Sequence, residues 1–132
     1  MILLDGIDGI GKSVTLMHTV SLVCQMPNWI VMYIPNAFYW VGGYFHYQVS
    51  SKENGLFDQC ELAVHFLNSI LALNREKIAN FPPLEKTAFD DCKTLSELFE
   101  FAMKPENLNH SIEVVKEVFN ILGQSQDYSI LL

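Results

Sequence analysis

The stretch Gly6 to Ser13, G-I-D-G-I-G-K-S, fills the pattern G-x-x-x-x-G-K-[S/T] at each position. Four apolar residues, Met1 to Leu4, precede it. A loop of this kind dictates its surroundings. Its glycines let the backbone wrap until successive N–H groups point inward, toward phosphate oxygens. The helix that follows turns its positive end to the same anion. Lys12 then reaches the outer phosphates, and the Ser13 hydroxyl ligates Mg²⁺. The candidate phosphate-binding residues are Gly6, Asp8, Gly9, Ile10, Gly11, Lys12, Ser13 and Val14, with Ser13 the metal ligand. Asp8 sets a negative charge inside the loop and either faces solvent or weakens binding.

The elements around the loop follow from periodicity. Met1 to Leu4 reads as a strand aimed at the glycines. From Gly11 to about Met26 the spacing predicts a helix with Leu16, Val20, Val23 and Cys24 on one face, ended by Pro27. Trp29 to Ile34 is a continuous apolar run, rich in β-branched and aromatic residues, and hence a buried strand closed by Pro35. Asn36 to Gly55 is aromatic and glycine-bearing, and its pattern selects no element. Asp58 with Glu61 predicts a variant capping box for a helix that runs to Ala79 on Leu62, Ala63, Phe66, Leu67, Ile70 and Leu73. Asn80 to Asp91, with Pro82-Pro83, is a loop. Thr94 and Glu97 form a strict capping box that opens a short helix bounded by Pro105. Asn109 is expected to cap another, ending near Gly123, and Tyr128 to Leu132 begins a strand.

The pattern predicts one α/β domain over residues 1–132, a P-loop NTPase-like parallel sheet with helices on both faces. No charged residue falls between Lys12 and Lys52. Pro27, Pro35, Gly42 and Gly43 break that stretch, so it is not a membrane span, which needs about 20 consecutive apolar residues. It fits instead a helix and a strand buried on both faces. The net charge of −7 argues against binding along a nucleic-acid backbone, which requires a basic face. Cys24, Cys60 and Cys92 are far apart and lack a CxxC pair, so they read as buried small hydrophobes or free thiols.

A phosphate cradle is not a catalyst. Hydrolysis needs a carboxylate, usually at the end of a second apolar strand, to hold Mg²⁺ and water. The strand from Trp29 leads to Pro35-Asn36, with no acid, and the strand from Tyr128 stops at Leu132. Asp90-Asp91 reads as a solvated turn. No catalytic residue is assigned, and at most weak GTPase activity is expected.

Two families share features with this chain. The string G-I-D-G-I-G-K-S resembles the loop of thymidylate kinases, which would imply phosphoryl transfer to a nucleoside monophosphate. That chemistry uses several arginine clamps, and Arg75 is the single arginine present. A signalling ATPase of the STAND type is a further alternative. The segment Asn28 to Val41, N-W-I-V-M-Y-I-P-N-A-F-Y-W-V, is similar to the region after the phosphate loop in the mitochondrial ribosomal death-associated protein 3 family, as is Phe57-Asp58-Gln59 before an acidic-apolar helix. This second resemblance covers most of the chain. It implies a structural component of the small mitoribosomal subunit's head, located in the mitochondrial matrix. It also implies bound GTP or GDP with Mg²⁺, although the loop itself does not exclude ATP. Partners would be other mitoribosomal proteins, with rRNA reached indirectly or through segments outside this chain, and no membrane.

In the ATPase-like sheet order 5-1-4-3-2, strands 1, 2 and the start of 3 lie within these residues. The expectation is therefore the N-terminal part of a longer domain. Two remaining groups carry less. His18, with Ser21 and Cys24 near it in sequence, offers no base–orienter geometry for a Cys/His pair, and Cys60 and His65, five apart, miss the i, i+4 spacing of a ligand pair. The aromatics Phe38, Tyr39, Trp40, Tyr44, Phe45 and Tyr47 are expected to form core or interface, with stacking on a nucleobase the alternative.

Overall fold

The computed structural model describes residues 7, 9–34, 38–42, 46–50, 52, 54–85 and 87–132. The expected first strand, Met1 to Leu4, lies outside them. So do Gly6 and Asp8 of the loop, Pro35 to Ala37, Tyr44 and Phe45, and the side chain of Tyr39.

The helix after the loop, α1, spans Lys12–Cys24. It leads through a short turn to β1, Trp29–Val31. Near the end of the chain β4, Ser129–Leu131, lies parallel to β1 in the register Trp29↔Ser129, Ile30↔Ile130, Val31↔Leu131. The Ser129 N–H donates to the Asn28 carbonyl and the Met32 N–H to the Leu131 carbonyl, each at 2.8 Å, so the pairing reaches one residue beyond β1 at both ends. Parallel strands need a long crossover, and the elements between β1 and β4 supply it. These include a short helix α2, Phe38–Val41, and an antiparallel hairpin of β2, Gln48–Val49, with β3, Phe57–Asp58. Three longer helices follow: α3, Cys60–Ala79; α4, Leu95–Met103; and α5, Ser111–Gln124. A 3₁₀ helix over Pro105–His110 runs directly into α5. The fold is thus mixed helix and sheet around a two-stranded parallel pair.

Successive residues of a strand face opposite sides, and β1 uses both. Ile30 and Met32 enter the main core with Phe66, Leu67 and Ile70 of α3, Leu95, Leu98 and Phe99 of α4, and Val114, Val118 and Leu122 of α5. Val31 belongs to a second, smaller cluster with Val20 and Val23 of α1. The strand is as buried as its apolar run predicts. The helix is not: Val14, Met17 and Leu22 are all more than half exposed, and Leu16, expected on the buried face, is 39% exposed, because among the described elements α1 packs mainly on β1.

Two expected caps are overturned. Asp58 is drawn into the hairpin, paired with Gln48, and the N-cap of α3 is the next residue, Gln59, whose side chain makes no capping bond. Asn109 sits inside the 3₁₀ helix, and its side-chain oxygen accepts from the Gln48 amide at 3.3 Å. No side chain caps α5, whose first turn continues the 3₁₀ helix. Its first residue, Ser111, is fully buried and donates its hydroxyl to the Cys60 carbonyl at 3.0 Å, tying α5 to the start of α3. The Thr94–Glu97 capping box forms as expected: Thr94 Oγ1 accepts the Glu97 N–H, and Glu97 Oε2 accepts the N–H groups of both Thr94 and Lys93.

The aromatic segment divides. Trp40 sets its ring edge-on against Phe66 of the core at 5.2 Å, while Tyr47 meets Phe57 across the hairpin at 5.5 Å, and both remain more than a third exposed. Among the described residues no helix is long and apolar enough to cross a membrane.

Candidate functional site

Backbone conformation at the glycines builds the entry to α1. Gly9 and Gly11 hold φ of +84° and +91°, the left-handed region that a side chain disfavours. A Cβ at either position would meet no heavy atom within 4 Å, so glycine is required there for its dihedral angles and not for space. Gly11 is the N-cap of α1, and no side chain caps that terminus. The first helical bond within this turn runs from the Thr15 N–H to the Gly11 carbonyl at 2.9 Å. The N–H groups of Lys12, Ser13 and Val14 therefore stand ahead of any intrahelical acceptor, at the positive end of the helix.

These atoms surround one depression. Gly9, Gly11, Lys12, Ser13 and Val14 line a cavity of about 310 Å³. The Lys12 ammonium folds back over the loop and donates to the Ile7 carbonyl at 2.8 Å. Ile10 is more than half exposed and does not line the cavity. Ser13 is exposed, so its hydroxyl is accessible to a cation. Of the expected loop residues, five are thus brought together, Ile10 stands apart, and Gly6 and Asp8 lie outside the described residues. The arrangement offers backbone donors, one ammonium and one hydroxyl to a single anion. Backbone donors, an ammonium and a hydroxyl are the groups with which a phosphate chain and its cation can be held.

Among the described residues no acid or arginine joins them. Arg75 is exposed on α3 and does not line the cavity. Asp90 and Asp91 form an exposed turn between the Pro82-Pro83 loop and α4. Among the described residues no group of three His, Cys, Asp or Glu side chains is placed to hold a metal ion. His18 and His65 are exposed and Cys60 is buried, where desolvation pushes its thiol up and away from nucleophilic use.

Two polar residues of α3 bond to the backbone of α1 and β1 and are not marked by the helix's apolar pattern. Asn74, 2% exposed, occupies a place on the apolar stripe, four residues after Ile70. Lys77 follows one turn later and donates to the carbonyls of Cys24 at 2.9 Å and Trp29 at 2.7 Å. A polar residue interrupting an apolar stripe was the available signal, since a buried amide needs partners.

The family model described as mitochondrial ribosomal death-associated protein 3 matches residues 1–132. No curated protein and no solved structure matches the chain.

Proposed function

The chain belongs to the mitochondrial ribosomal death-associated protein 3 family, and from that premise we propose that it is a nucleotide-binding structural component of the mitochondrial ribosome's small subunit. Membership places it in the mitochondrial matrix among ribosomal partners. The bound ligand is GTP or GDP with Mg²⁺, held by Gly6, Asp8, Gly9, Ile10, Gly11, Lys12, Ser13 and Val14, with Ser13 on the metal. The carrying observation is the uncapped N-terminus of α1, entered through left-handed Gly11, with Lys12 folded over it. Parallel pairing of β1 with β4, and the split of β1's residues between α1 and the larger helical cluster, support an ATPase-like P-loop arrangement.

The ligand's role in this reading is to stabilise and not to turn over. Among the described residues neither an acid nor an arginine lines the cavity, and the reading assigns no group there to drive phosphate transfer. Contacts in the head of the subunit are made to proteins, in keeping with a net charge of −7 that repels an RNA backbone.

The test is to isolate the intact protein from mitochondria, denature it and identify the released nucleotide, with Lys12→Ala as control, and to follow both proteins through a subunit gradient. A guanine nucleotide released from the wild type, little from the variant, and sedimentation with the small subunit are expected. Full occupancy in Lys12→Ala would remove the assigned role of the loop. Absence from the small-subunit peak would remove the ribosomal role.

A further inference from the structure

We propose that Lys77 is a positioning residue for the candidate phosphate site, holding α1 on β1 from the end of the helix opposite to the loop. The inference rests on the nucleotide-binding reading above. Helix α1 is 13 residues long, roughly 20 Å from its first turn to its last. Its N-terminal turn makes the cavity; its C-terminal turn meets Lys77.

Among the described residues its apolar packing is small. Val20 and Val23 are the buried residues of α1, each 9% exposed, and they share a cluster with Val31 that is separate from the main core. Leu73 of α3 packs against that cluster, and Lys77 follows it by four residues, on the same face of the helix. The Lys77 ammonium then donates to two carbonyls from different elements, Cys24 at the end of α1 and Trp29 at the start of β1. A cation at this end also opposes the negative pole of the helix. Lys77 thereby fixes the turn that joins helix to strand, and with it the angle at which α1 presents its N-terminus.

Among the described residues, α3, α4 and α5 form a well-packed unit, and α1, at the end of the phosphate loop, is held by fewer buried side chains. Local opening draws on such lightly packed parts. A ligand that needs α1 docked binds with an affinity reduced by the fraction of undocked molecules. Nucleotide should therefore tighten α1 on β1, and loss of the Lys77 contacts should weaken nucleotide binding without touching the cavity.

The experiment compares the intact wild type with Lys77→Met, which keeps the apolar stem, and Lys77→Arg, which keeps the charge. Titration with GDP and with ADP, each with Mg²⁺, is read beside amide hydrogen exchange. Expected are about tenfold weaker binding in Lys77→Met, faster exchange confined to residues 12–33, unchanged protection in α3 to α5, and substantial recovery in Lys77→Arg. Nucleotide is expected to slow exchange in residues 12–33 of the wild type. Equal affinity in Lys77→Met and wild type overturns the proposal, as does loss of protection throughout the chain, which would make Lys77 a support for the whole fold. A wild type that binds neither nucleotide instead defeats the underlying nucleotide reading, and the two failures are thus distinct.

Discussion

The Asn74 side-chain amide closes both backbone groups of Val31: its Oδ1 accepts the Val31 N–H at 2.8 Å and its Nδ2 donates to the Val31 carbonyl at 2.7 Å. The amide does for this edge of β1 what a neighbouring strand would do. The backbone of Asn74 leaves the helical region at this point, with φ −129° and ψ 22°, and its Nδ2 also takes the Ile70 carbonyl at 2.7 Å. The kink in α3 and the closed strand edge are therefore one feature. With β4 on the other side, β1 has no open edge at Val31, which guards against pairing with another chain.

Asn74→Leu should destabilise the protein by about 2–6 kcal/mol, since two buried backbone groups lose their partners at roughly 1–3 kcal/mol each. Asn74→Asp should cost at least as much. It keeps an acceptor for the Val31 N–H but sets a second oxygen against the carbonyls of Val31 and Ile70. Chemical denaturation measures both. A stable Asn74→Leu protein with an unchanged midpoint would show that water or backbone movement replaces the amide.

The parts of this molecule legible in its sequence are those in which neighbouring residues settle their own conformation. The Thr94–Glu97 box forms because both partners lie within one turn and nothing distant competes for them. The stripe from Leu62 to Ile70 is buried because helical spacing alone puts those side chains on one face. Gly9 and Gly11 take the left-handed angles that their motif requires. Asp58 and Asn109 fail as caps because a distant residue, Gln48, engages both, the first through strand pairing and the second through its amide. The hairpin itself has strands of two residues, too short for an alternation to be read. Lys77 was invisible for the same reason: its carbonyl partners lie 53 and 48 residues away in the chain.

Glycine substitutions separate strain from crowding. Gly11→Ala should lower stability by about 1 kcal/mol through its φ of +91°, although open space surrounds the new methyl group. The same change should weaken nucleotide binding by disturbing the turn into α1. Gly123→Ala is the contrast. Gly123 lies within α5, without a positive φ and with nothing near its Cβ position, so alanine should stabilise by about 0.5–1 kcal/mol. Thermal unfolding of the two variants should shift in opposite directions. A shift in the same direction would contradict the assignment of one of the two backbone conformations.

The three thiols should differ in reactivity. Burial pushes the thiols of Cys60 and Cys92 up, which lowers their thiolate fraction, and both are covered in the core. Cys24 is half-buried at the end of α1. A colourimetric thiol reagent at neutral pH should modify one cysteine in the native protein and all three after unfolding. Cys24→Ser should remove the native reaction. A native reaction that survives this substitution would mean that α3 or the turn before α4 opens more readily than α1 does.

The capping box gives α4 a pH dependence whose sign is fixed. The N–H of Lys93, with further help from Thr94 and the charge of Lys93, holds the Glu97 carboxyl below its ordinary value, against a smaller opposing effect of desolvation. A depressed carboxylate binds protons more weakly in the folded state than in the unfolded one. Its contribution is thus fully present above the ordinary carboxylate range and is lost as pH falls through the folded value. Wild-type stability should therefore decline on acidification from about pH 5, and Glu97→Gln should flatten part of that decline while lowering stability near neutrality. Thr94→Ala should cost about 1 kcal/mol, the usual worth of an N-cap hydroxyl, and should leave most of the acid-dependent part intact, because the Lys93 N–H still reaches Glu97 at 2.7 Å. Urea unfolding of the three proteins between pH 3 and 7 on the order of half-unit steps resolves the two contributions. If Glu97→Gln follows the wild-type curve throughout, the acid sensitivity of this protein resides elsewhere and the box holds α4 through Thr94 alone.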